Sequence, residues 1–158
     1  MKTHHIDLIR KTIKLAQHNM RQGYGGPFAA IIVKDGIEIA NGCNNVTTRN
    51  DPTAHAEVMA IRNACKKLNT WRLEGCELYS SCEPCPMCLS AAYWAGINKI
   101  WFSAKSEDAC FAGFDDSHIY QELAKPAEQR KLDMSMLLPV EGKALLDEWI
   151  TLPNKIMY

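Results

Sequence analysis

Two short segments hold side chains that bind metals and move protons: His55-Ala56-Glu57 and, further along, Pro84-Cys85-Pro86-Met87-Cys88. Zinc takes imidazole and thiolate ligands in tetrahedral arrays, and a catalytic zinc keeps one position for water. Cys85 and Cys88 lie three apart where Pro84 and Pro86 open a helix, so both sulfurs can face one side. A helix N-terminus and a metal each lower a thiol pKa, which supplies the thiolates. His55 is the third ligand this pattern offers. Glu57 then has a task that only a reaction centre requires. Zinc brings a bound water to a pKa of about 7, and a neighbouring carboxylate can take that proton and return it to a leaving group.

The same residues admit other uses. A lone C-x-x-C also serves redox chemistry. Cys82, three residues before Cys85, could complete a four-ligand structural zinc, although that leaves Glu57 idle. Cys65, Cys76 and Cys110 read as small apolar residues. The H-x-E spacing also makes a geometric demand. On a regular helix, positions two apart point about 200° from each other. His55 and Glu57 therefore share one site only if the motif sits in a helix's first turn or the carboxylate reaches around it.

The elements that must position these groups follow from periodicity. Ile6, Ile9, Ile13, Ala16 and Met20 mark an amphipathic helix that Gly23 to Pro27 ends. Phe28 to Val33 and Ile37 to Ala40 are two strands joined by Asp35-Gly36, a hairpin signal. Asn41 to Asp51 is a polar loop by composition. A second helix follows Pro52 through Val58, Ile61, Cys65 and Leu68, and Cys76 to Ser81 is a short buried strand. A third helix runs from the Pro84 and Pro86 pair through Leu89, Ala92 and Tyr93 to Gly96, and Ile97 to Ser103 is the next strand. Between Ser106 and Asp133 periodicity is weak, with a short helix and loop over Phe111 to Tyr120. Met134 to Val140 reads as a fifth strand, and Leu145, Leu146, Trp149 and Ile150 mark a last helix. A hairpin followed by alternating helices and strands predicts one α/β domain over residues 1–158. Its expected form is a three-layer α/β/α sandwich with a central mixed five-stranded sheet.

Bulk properties narrow the partners. Of the 158 residues, 47% are hydrophobic and 23% charged, and 18 Lys and Arg balance 18 Asp and Glu. A net charge of zero removes the simple argument for a phosphate-binding surface, so a small neutral substrate is favoured over nucleic acid. No apolar run approaches the roughly 18–20 residues of a membrane span. Charge near the N-terminus argues against a secretion signal. Seven cysteines, an odd number, fit a reducing cytoplasm with metal chemistry better than a disulfide framework.

H-x-E followed by P-C-x-x-C is the signature of zinc nucleobase deaminases, and these residues resemble the cytidine deaminase-like superfamily over nearly the whole chain. Within it, the sequence is most similar to the bacterial guanine deaminases. The similarity is carried by Gly25-Gly26-Pro27-Phe28, Asn44-Asn45-Val46-Thr47-Thr48, Asn50 to Glu57, Ser81 to Cys88, Ala112-Gly113-Phe114-Asp115-Asp116-Ser117 and Tyr158. The first four blocks are shared in looser form with tRNA adenosine deaminases. The resemblance implies one zinc per subunit on His55, Cys85 and Cys88, with Glu57 moving the proton. It implies that Asp116 helps protonate departing ammonia. It implies a base held by Asn44, by Ala56, and by Phe28 and Trp94 as aromatic walls, with Tyr158 closing the pocket. It also implies a homodimer whose C-terminal segment, roughly residues 130–158, is exchanged between subunits. The expected reaction is conversion of guanine to xanthine. A tRNA adenosine deaminase, another small-base deaminase and a non-enzymatic structural-zinc module stay open beside it.

Overall fold

The computed structural model describes residues 2–157. In chain order its helices and strands are α1 (Lys2–Arg21), β1 (Ala29–Lys34), β2 (Ile37–Cys43), α2 (Val46–Arg49), α3 (Ala56–Leu68) and β3 (Cys76–Cys82). They continue as α4 (Pro86–Trp94), β4 (Lys99–Ala104), α5 (Ser106–Phe111), α6 (Ser117–Ala124) and α7 (Pro139–Thr151). The chain forms two compact units, one ending at His118 and one beginning at Ile119.

In the first unit the sheet order is β2-β1-β3-β4. β1 is antiparallel to both β2 and β3, while β3 and β4 are parallel. A parallel pair requires a crossover, and α4 supplies it. The β1–β2 turn has positive φ at Asp35 (50°) and at Gly36 (76°). These are the signs a two-residue type I′ hairpin turn demands, which is why Asp-Gly suits it.

Strand alternation sorts the core into two layers. Ile31 and Val33 of β1 and Tyr79 of β3 join Leu8 of α1 on one face. Ala30, Ile32 and Leu78 point the other way, toward Ala56, Ala60, Ile61 and Ala64 of α3 and Ala92 of α4. The register agrees, because Ile31 lies opposite Tyr79 and Ile32 opposite Leu78. The result is the expected α/β/α sandwich with a mixed sheet. On the α1 face, Tyr79 Oη and Trp101 Nε1 both donate to Glu77 Oε2 at 2.7 Å, and His5 stacks on Trp101 at 4.3 Å.

Two expectations need correction. The sheet has four strands, not five: residues 134–138 carry no regular structure, and Pro139 begins α7. Met134, Met136, Leu137 and Leu138 are apolar but unbranched at Cβ, so they lack strand propensity. Pro139 cannot donate to a ladder and is pre-set for a helix's first turn. Leu138, at φ 50°, breaks extended geometry just before it. The second correction concerns Asn41, Gly42 and Cys43, which belong to β2 and not to a loop. Their backbone pairs with Ile31, Ala30 and Ala29. Gly42 is needed there because a Cβ would lie 2.4 Å from Ala60 N and 2.5 Å from Ala56 O. Glycine on β2 and the alanine stripe of α3 let helix and strand meet nearly backbone to backbone. That contact fixes the height of the α3 N-terminus over the sheet.

The second unit holds most of α6, a short 3-10 turn (Ala127–Gln129) and α7. No residue of α7 is buried. Among the described residues, no helix is long and apolar enough to cross a membrane.

Candidate active site

The site forms where two helices begin. His55 is the N-cap of α3 with extended backbone (φ −68°, ψ 155°), and Cys85 is the N-cap of α4 (φ −64°, ψ 169°) with Pro86 at its first helical position. This resolves the spacing problem of H-x-E. His55 lies outside the helical path, so the 200° rule does not apply to it, and Glu57 in the first turn points to the same place. The loop before His55 is braced: Asp51 Oδ1 accepts from Thr53 N–H at 2.8 Å and from Thr53 Oγ1 at 2.6 Å, and Asn45 N–H donates to Ala54 O at 3.0 Å. Cys85 follows the C-terminal end of β3, where α/β sheets place their ligands. Two helix N-termini converging on one point favour the negative charges gathered there.

The ligating atoms of His55, Cys85 and Cys88 all lie within 4.8 Å of one another. His55 Nδ1 is 3.5 Å from Cys85 Sγ and 3.5 Å from Cys88 Sγ. Bond lengths of about 2.0 Å to nitrogen and 2.3 Å to sulfur at tetrahedral angles put N and S about 3.5 Å apart. The three side chains therefore fit one zinc ion, with Nδ1 as the imidazole ligand. Three protein donors leave the fourth tetrahedral position to water or substrate. Cys82 is not among the gathered ligands: it is buried and its S–H donates to Lys105 O at 3.6 Å. Burial pushes its thiol up to about 11.

Electrostatics divide the two ligand thiols. A hydrogen bond from Cys88, and then one from His55, draws the Cys85 thiol down to about 4 in spite of burial. Cys88 moves upward because it donates to Cys85 and is buried. His55 is raised, chiefly by its hydrogen bond with Cys85.

Glu57 is 5% exposed. Its Oε1 accepts from Ser80 Oγ at 2.8 Å, and its Oε2 lies 3.3 Å from Cys88 Sγ. Burial is the main cause that raises its pKa, so this carboxylate takes up a proton more readily than one in water. Asp116 is half-buried, and burial followed by the Cys85 charge raises it too. Its charge is felt in turn by His55. The segment that leads to Asp116 is anchored at two points. Ser106 N–H donates to Glu83 Oε2 at 3.1 Å, and the Phe114 ring meets Phe28 edge-on at 4.9 Å.

Asn44 is 8% exposed and its Oδ1 accepts from Gly26 N–H at 3.2 Å and Val46 N–H at 3.4 Å. That orientation turns its amide NH₂, which can only donate, away from both backbone donors. Ala56 is fully buried as the first residue of α3. Trp94 is 70% exposed at the far end of α4, about 13 Å along the axis from Cys85 at 1.5 Å per residue. Tyr158 lies outside the described residues. Ser80 carries no signal in the sequence beyond a hydroxyl inside a buried strand.

Comparison with known proteins agrees with this geometry. Residues 2–104 match the cytidine and deoxycytidylate deaminase zinc-binding region. The chain is 50% identical over 154 residues to guanine deaminase of Bacillus subtilis, covering 98% of this chain and 99% of that protein. The crystal structure of Bacillus subtilis guanine deaminase superposes with a TM-score of 0.94 over 98% of each chain. The structure of guanine deaminase from Nitrosomonas europaea is 35% identical, covers 69% of this chain and 63% of its own, and gives a TM-score of 0.66. Similarity to the tRNA-specific adenosine deaminase of Aquifex aeolicus is 54% over 78 residues, 49% of this chain and 52% of that one. A zinc site built from two helix caps, with a carboxylate at its edge, is thus accounted for by descent as well as by chemistry: the chain belongs to the cytidine and deoxycytidylate deaminase zinc-binding family, hydrolases that act on C–N bonds.

Proposed function

We propose that this protein hydrolyses guanine to xanthine and ammonia, a step of purine breakdown, in a reducing cytoplasm. One observation carries the choice of base. Likeness to guanine deaminase runs the full length of the chain, whereas likeness to the tRNA-specific deaminase covers half of it. The balanced charge supports the same choice, since a tRNA ligand calls for a basic surface. Cysteines that are all free support the reducing compartment.

His55, Cys85 and Cys88 would hold the zinc, and when bound it supplies Lewis acidity and a water made acidic near neutral pH. The chain's own groups do the rest. Glu57 takes the water's proton as the oxygen bonds to C2 of guanine, and passes it to the ring nitrogen that receives the π electrons. The tetrahedral carbon then expels its amine once Asp116 or Glu57 has protonated it. The hydroxyl proton passes through Glu57 to the departing amine as the C2 carbonyl forms, so the carboxylates end in the protonation state in which they began. One water is consumed, and one xanthine and one ammonia leave. Asn44, fixed as a donor, holds an acceptor on the ring edge. Ala56 and Phe28, with Phe28 braced by Phe114, give the flat ring its apolar surroundings, and Trp94 and Tyr158 complete the enclosure.

Trp94 stands exposed at its helix end, so its part, like that of Tyr158, belongs with a dimer. In this reading the C-terminal segment is exchanged between two subunits. In α7, Leu145, Leu146 and Ile150 lie on one side of the helix and are 63–67% exposed, and apolar side chains left in the open call for a covering surface. Light scattering should give twice the mass of one chain; a monomer at micromolar concentration removes the exchange.

The base is tested by ammonia release from guanine, adenine, cytosine and a tRNA anticodon stem-loop, each at equal concentration. Guanine should exceed every other by at least about a hundredfold, the discrimination expected when a site built to pair with polar edges meets the wrong ones. Preferential turnover of the stem-loop would replace guanine with tRNA adenosine.

A further inference from the structure

Glu57 has two carboxyl oxygens in different surroundings. Oε2 lies against Cys88 Sγ at 3.3 Å, on the side of the metal ligands. Oε1 faces the sheet, where Ser80 Oγ donates to it at 2.8 Å. Ser80 is 1% exposed, so bulk water does not substitute for its hydroxyl. That hydroxyl is itself oriented: its oxygen accepts from Cys82 N–H at 3.4 Å, which leaves its single proton for Glu57. Ser80 lies on β3 opposite Ala30, in the alternation that points toward α3. The strand register thus delivers a hydroxyl beneath the first turn of α3, where an apolar side chain would otherwise continue the core.

We propose that Ser80 is a positioning residue for the reaction, holding Glu57 Oε1 as a fixed acceptor so that proton exchange runs through Oε2 alone. A carboxyl group turns easily about its terminal torsion, which is broad and roughly two-fold. A general base with both oxygens free spends part of its time aimed away from the reacting water. One buried hydroxyl removes that freedom, as groups behind the ligands do in other metal sites. The inference rests on the guanine deaminase reading, since it assigns a job within that chemistry.

The test compares Ser80→Ala and Ser80→Thr with the unaltered zinc-loaded protein on guanine. Ser80→Ala should lower kcat about 10–100-fold, the range typical of such supporting groups, with KM and zinc content unchanged. Ser80→Thr keeps the hydroxyl in a strand that tolerates β-branching and should restore kcat to within a few-fold. An unchanged kcat in Ser80→Ala overturns the proposal. So does a Ser80→Thr protein that is folded and zinc-loaded but as slow as the alanine variant. If the unaltered protein releases no ammonia from guanine, the functional reading itself fails, which is a separate result.

Discussion

Glu57→Gln should lower kcat for guanine by roughly 10²–10⁴-fold, the contribution usual for a positioned acid–base group, while zinc stays bound at one per chain. The substitution is close to isosteric. A glutamine Oε1 still accepts from Ser80, so the 2.8 Å contact survives and the buried site is not opened. What disappears is the ability to take a proton. The ligands His55, Cys85 and Cys88 are untouched, so metal content should match the unaltered protein. Steady-state kinetics with metal analysis on the same sample reads both quantities. Near-normal turnover would remove Glu57 from the chemistry.

Cys88→Ala should have an effect as large by another route. Cys88 is fully buried at the start of α4, and its sulfur stands 3.5 Å from His55 Nδ1. Two remaining ligands do not hold zinc in a tetrahedral site, so metal content and activity should fall together to background. The fold should persist. Its two apolar clusters, one against α1 and one against α3 and α4, are built from side chains that do not depend on a metal. Far-UV circular dichroism should therefore keep its helical signal, with a lower melting temperature because bound metal stabilises the state that binds it. Collapse of the helical signal on zinc loss would instead match small domains that fold only around their metal. That result would favour the non-enzymatic structural-zinc module.

The metal cluster was legible because residue type and spacing carry it. An H-x-E pair and a P-C-x-x-C turn need only a helix start each, and prolines announce one of those starts. The first four strands followed from apolar runs and from Asp35-Gly36. Other features were hidden for physical reasons. Met134 to Val140 looks like a strand by hydrophobicity alone, but unbranched side chains make residues 134–138 an irregular run, and Pro139 opens α7. Asn41 to Cys43 looks like a loop by composition, yet backbone pairing and the close approach at Gly42 place it in the sheet. The helix that begins at Ala56 sets Glu57 correctly only because His55 is a cap, and capping is decided by backbone angles that composition does not reveal. Ser80 was invisible for the opposite reason. Its neighbours make an ordinary strand, and its function comes from a partner 23 residues away in the chain.

The central claim is hydrolysis at C2 of guanine, and water labelled with heavy oxygen tests it most directly. The zinc-loaded protein, incubated with guanine in that water, should yield xanthine carrying the label at C2 and one ammonia for each xanthine formed. Glu57→Gln protein run alongside should yield almost none. Guanine left intact by folded, zinc-loaded protein, or xanthine formed without the label, contradicts it.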